Sequence, residues 1–254
     1  MRFLGALLKF GLMAMVAALV AVDLIGYGAL LTGVVVGDDP IDVRAAAASV
    51  PGGGQPGAQA KPALTAADRA EMDDSAGLPG RFVPSQGRAH LSTYPLPRHV
   101  PFCDADRIEA NCYASNPPTS GYHLPVQGTV KLEDGHRLKI PPDPDIYDFA
   151  VPREAIPHIQ EHAGVYVGYN CASDDCASTV ERLKDLVAQE LSLGAKVVMS
   201  PDPDLDDDTI GLASWTRVDT FAAADYSDER ARDFIKAHSC RFDPERFCTS
   251  TAIN

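Results

Sequence analysis

Positive charge is scarce in this chain: 22 Lys and Arg stand against 35 Asp and Glu, a net charge of -13. That balance argues against a nucleic acid partner and against docking on anionic lipid. No glycine loop suits a nucleotide, and no lipase-type G-x-S-x-G occurs. There is no C-x-x-C dithiol either; the nearest approach is C-x4-C at Cys171 and Cys176, and no four-cysteine zinc pattern stands out. Internal repeats are lacking, so a solenoid is not expected. The single tryptophan, Trp215, has strand-like neighbours and is expected in the core.

The N-terminus has what the rest lacks, a long apolar run. From Phe3 to Val36 the only charged residues are Lys9 and Asp23. A membrane helix needs about 20 mostly apolar residues, so residues 1–36 read as a transmembrane signal anchor. The length favours a retained anchor over a cleaved signal peptide. Arg2 and Lys9 precede the main run and no basic residue follows until Arg44. The positive-inside rule then leaves the N-terminus in the cytoplasm and the remainder extracytoplasmic or periplasmic. Asp23 lies either at the interface of a shifted span or against a membrane-protein partner.

Residues 37–80 are rich in Ala, Gly, Pro and Asp, and read as a flexible tether. A coil of that length reaches roughly 35–40 Å. Residues 81–254 are expected to fold as one compact α+β or α/β domain with a small mixed sheet. Strands are expected at Gly128–Leu132, Arg137–Ile140, Val165–Tyr169 and Lys196–Met199, with one strand or two in Thr209–Phe221 around Trp215. Val180, Leu183, Leu186, Val187 and Leu191 recur at helical spacing over Ala177–Leu193, and Gly194 closes that segment. Strand, helix and strand make a parallel βαβ unit. Ser227 is placed to cap a last helix running to about His238. Six cysteines outside the cytoplasm read as a disulfide framework, and nearest-neighbour pairing joins Cys103 to Cys112, Cys171 to Cys176 and Cys240 to Cys248.

Two motifs carry chemistry. His158-Ile159-Gln160-Glu161-His162 is an H-x-x-E-H string, and on a helical turn its two imidazoles share one face. Pro157 suits the first turn, and Gly164 closes the segment. The second motif, Asn116-Pro117-Pro118-Thr119-Ser120-Gly121-Tyr122-His123, presents a histidine after a stiff turn. Imidazole is the commonest transition-metal ligand, so His123, His158 and His162 form a candidate metal set. Asp202, Asp204, Asp206 and Asp208 imitate the start of a calcium loop. Asp207 and Ala213 stand where that loop needs Gly and Glu, so a solvated acidic loop is the better reading.

The two motifs, with Tyr169-Asn170-Cys171 and Leu212–Arg217, resemble in order the successive signatures of the bacterial domain-of-unknown-function family 3105. Gly87-Arg88-Ala89-His90 is similar to that family's opening, and the resemblance covers roughly Gln86 to Ile235. It implies a shared polar cluster of His90, His123, His158, Glu161 and His162. Ala163 departs from the glycine usual in the family, and Pro157 is a further departure. The expected function is transition-metal binding by His123, His158 and His162, with His90 as fourth ligand and Glu161 orienting a ligand histidine. Copper is favoured over zinc for an imidazole-rich extracytoplasmic site, and Met199 would favour it further if its thioether came near. The alternatives are a zinc hydrolase with Glu161 as base, or a structural or interaction module without metal.

Overall fold

Val165, Tyr166, Val167 and Gly168 are all buried, because both faces of the strand that contains them are covered. In this computed structural model, which describes residues 77–104 and 111–248, that strand is central to a mixed α+β domain. The elements are β1 (Arg81–Phe82), β2 (Gly128–Lys131), β3 (Arg137–Ile140), β4 (Asp145–Ile146), α1 (Ile156–Glu161), β5 (Val165–Asn170), α2 (Asp174–Ser192), β6 (Val197–Pro201), β7 (Thr209–Ser214), β8 (Arg217–Ala222) and α3 (Asp228–His238). The large sheet has the order β1-β8-β7-β5-β6-β4, and β2 and β3 pair as a separate hairpin. β4 and β5 run parallel to β6, whereas β5–β7, β7–β8 and β1–β8 are antiparallel.

Alternation along the strands divides the core in two. Val165, Val167, Val197, Met199, Ile210 and Leu212 pack under α2 and α3, against Val180, Leu183, Val187 and Phe234. Tyr166, Val198 and Ala213 point the other way, against Ile156 and Ile159 of α1 and Leu138 and Ile140 of the hairpin. Met199 is therefore a core residue on the face away from α1, and its thioether offers no argument for copper.

The expected βαβ unit is β5-α2-β6. Its helix starts three residues early, because Ser173 Oγ accepts from the Cys176 N–H and caps it. Gly194, at φ +91°, follows its end. Ser227 caps α3 by accepting from the Arg230 N–H, as its sequence indicates. The segment around Trp215 is a hairpin, with Trp215 and Thr216 forming the turn between β7 and β8. Trp215 is buried and stacks on Phe242 at 4.4 Å, so it joins the core from a turn rather than from a strand. The three disulfides are the nearest-neighbour pairs, and no cysteine is free among the described residues. Such pairing suits an oxidising compartment outside the cytoplasm. The apolar N-terminal segment, Asp23 and the tether up to residue 76 lie outside the described residues. Among the described residues no helix is long and apolar enough to cross a membrane. Pro79 and Gly80 are bonded to the domain: Pro79 O accepts from His238 Nε2, and Gly80 O from Arg217.

The acidic loop is not merely solvated. Asp202 is buried, accepts from the Asp204 N–H at 3.1 Å, and takes the Tyr166 hydroxyl at 3.3 Å. Asp208 accepts from the N–H groups of Ala172 and Ser173 at the start of α2, and Asp204 pairs with Arg153. These carboxylates tie β5, α2 and the 153–155 turn together. Burial pushes the Asp202 carboxyl up to about 6. The folded state therefore holds this proton more tightly than the unfolded chain, and the stability it confers is lost as pH rises from about 4 to about 6. Asp202→Asn should remove that slope, a relative gain on the order of 2–3 kcal/mol at pH 7 over pH 4. Urea midpoints measured across this range check it; a wild-type-to-variant difference independent of pH would refute it.

Candidate metal centre

The loop carrying His123 is fixed by bonds along its length. The Gln86 side chain donates to Cys112 O and accepts from the Ala114 N–H, and its backbone N–H donates to Ser120 Oγ. Asn116 O accepts from Thr220 Oγ1, and Thr119 O accepts from the Thr216 N–H, which lashes the loop to β7 and β8. Gln160 Nε2 donates to Pro118 O at 2.7 Å, which ties it to α1. The Asn116–Pro117 peptide is cis. Gly121, at φ +105°, then turns the chain so that His123 enters the interior fully buried.

His90 arrives alongside. The two histidines form an isolated parallel bridge, with Leu91 N–H donating to His123 O and His123 N–H to Ala89 O. Their rings meet edge-on, with centroids 4.6 Å apart. Glu161, the last residue of α1, completes the group. The ligand atoms of His90, His123 and Glu161 all lie within 4.8 Å of one another.

The protonation pattern follows from the neighbours. His123 Nδ1 lies 3.0 Å from Gly121 O, and a carbonyl only accepts, so Nδ1 carries the proton. Nε2 faces Glu161 Oε2 at 3.0 Å, within ion-pair distance. The two groups are buried together. The other carboxylate oxygen of Glu161 accepts from Arg88 at 3.0 Å. Burial alone would raise the Glu161 carboxyl, but its contact with His123 and the Arg88 charge outweigh that and hold it below the usual range. Such a carboxylate is a weak base, which counts against the hydrolase role.

His158 and His162 form a second pair beside the first. As the i, i+4 spacing implies, they share a face, with Nε2 atoms 3.1 Å apart. His158 Nδ1 donates to Leu124 O at 2.6 Å, which leaves Nε2 of the neutral ring as an acceptor. Burial, reinforced by the neighbouring imidazoles of His123 and His162, pushes the His158 pKa down to about 3, so the ring is neutral. Burial also lowers that of His162. The His158 ring lies 5.0 Å from that of His123 and 6.1 Å from that of His90. All five residues named in the sequence thus converge. The tight group, however, contains Glu161, which was expected to orient a histidine or to serve as a hydrolase base, in place of His158 and His162.

Two neighbours were not among the candidate site residues. Arg88 sits two residues before His90, a spacing that places both on one side of an extended chain. Glu245 comes from the loop closed by Cys240–Cys248, and its Oε2 lies 3.4 Å from His162 Nε2. Phe247, from the same loop, stacks on His162 at 4.0 Å. Nothing local in the sequence announces Glu245, because a disulfide loop far along the chain delivers it. Ala163, after the motif, takes φ +69°. The left-handed conformation there explains why glycine suits this position.

The family model described as "Protein of unknown function (DUF3105)" matches residues 105–251. The match includes His123 and the H-x-x-E-H string and begins after His90. No curated protein and no solved structure matches the chain.

Proposed function

The chain belongs to the DUF3105 family, and we propose that it binds a divalent transition metal through His90, His123 and Glu161, with His158 and His162 flanking the ion. The supporting observation is the convergence of the His90, His123 and Glu161 ligand atoms within 4.8 Å, with the buried His123 Nε2 3.0 Å from a carboxylate oxygen. Two electron-rich atoms so close need a cation between them. A proton can fill that role, and so can a metal ion, to which the His90 ring adds a third donor. Two ligands of one ion also stand at such a separation, which suits bonds of about 2.0–2.2 Å to a shared metal. A nitrogen and oxygen donor set favours Cu²⁺ most among first-row divalent ions, with zinc behind it. In this reading the domain is membrane-anchored by residues 1–36 and faces the extracytoplasmic side, where it sequesters or hands on the ion.

Elemental analysis of the full-length chain, purified without a histidine tag, tests the reading. After incubation with Cu²⁺ or Zn²⁺ and gel filtration, about one ion per chain is expected, with copper displacing zinc. Retention of only trace metal under both conditions would reject it.

A further inference from the structure

A separate pocket of about 380 Å³ adjoins the cluster on its hairpin side. Its apolar wall is built from Val126, Pro141, Pro142, Pro144, Ile159 and Phe247, and the His162 ring contributes one edge. Val126, at 70% exposure, and Phe247, at 45%, are two of only three large exposed hydrophobic side chains among the described residues. Both face this one pocket.

Its two cations differ. Lys139 is paired with Asp143 at 2.5 Å and is neutralised. Lys196 is half-buried, donates to Phe247 O at 2.9 Å, and lies 5.5 Å from the Phe247 ring. Among the described residues no carboxylate stands within ion-pair distance of it. Burial holds its ammonium below the usual lysine range, an effect that the charge of Asp243 offsets only in part. A partly desolvated cation beside an apolar wall is a receptor for an anion carrying an apolar body.

We propose that this pocket binds a small organic carboxylate, its apolar body against the prolines and Phe247 and its carboxylate on Lys196. The volume admits roughly a dozen water-sized groups, the size of an arylalkanoic acid. The proposal uses no metal and stands apart from the metal reading.

The test is titration of the full-length chain with 4-phenylbutanoate and with its neutral amide, followed by calorimetry. The acid should bind roughly tenfold tighter than the amide, the contribution of a charge-assisted contact. Lys196→Met, which keeps the aliphatic stem, should abolish that preference while leaving amide binding unchanged. Val126→Asp should weaken the acid more than the amide, and Lys236→Met, on α3, should alter neither. Equal affinity for acid and amide in the wild type, a preference that survives Lys196→Met, or failure of both compounds to bind would each overturn the proposal. Repeating the titration on chelator-treated protein separates the two readings, because acid binding should persist when the metal is gone.

Discussion

Glu161→Gln should lower metal affinity by about 100-fold or more and leave the domain folded. The substitution keeps the side chain's size but removes the charge that faces His123 Nε2. Changing groups that merely orient a ligand already costs about 10–100-fold, so losing a charged ligand should cost at least the upper end. The effect on folding should be small. Arg88, which loses its partner, has a side chain 43% exposed and can turn to water, and such half-exposed ion pairs contribute about 0–1 kcal/mol. The informative measurement is a comparison of affinities across variants, by competition with a chelator. His90→Ala and Glu161→Gln should fall together at the bottom. His162→Ala should cost about tenfold or less, because His162 faces His158 and Glu245 rather than the tight group. A reversed order, with His162→Ala the worst, would move the ion into the H-x-x-E-H pair and remove Glu161 from its ligands.

That contrast shows how far the sequence reaches. The i, i+4 spacing sufficed to place His158 and His162 side by side, because helical geometry is local. The cap at Ser227, the helix through Val180 and Leu183, and the parallel β5-α2-β6 unit were legible for the same reason: each rests on periodicity or on a bond spanning a few residues. Glu161 was harder. Its place beside His123 depends on where a distant loop docks on α1, through bonds such as Gln160 to Pro118. The burial of Asp202 was invisible because a run of aspartates looks solvated until Tyr166 is brought over it. Glu245 and the pocket at Lys196 depend wholly on the fold, since a closed disulfide loop sets them against segments about 80 and 50 residues earlier.

Gly211→Ala should damage the metal centre without touching any residue of it. Gly211 lies in β7, opposite Gly168 of β5. A Cβ added there would sit 2.7 Å from Pro117 Cδ and 2.8 Å from Cγ, closer than such atoms approach. The proline ring cannot rotate away, since it is part of the backbone loop. Nor can the loop lift easily, because Thr220, Thr216 and Gln160 all hold it. Overpacking of this kind costs about 1–3 kcal/mol, a fall in melting temperature of roughly 2–10 °C for a domain of this size. Relief should come from a shift of the 116–123 loop, and that loop carries His123. A displacement well under an ångström is enough to spoil a ligand whose Nε2 must meet the same ion as Glu161. Metal affinity should therefore drop about tenfold or more, and the loss should persist at temperatures well below the melting transition. Normal affinity in a destabilised Gly211→Ala protein would show that the loop yields elsewhere and that the rigidity of the Pro117–Pro118 turn is not what holds His123 in place.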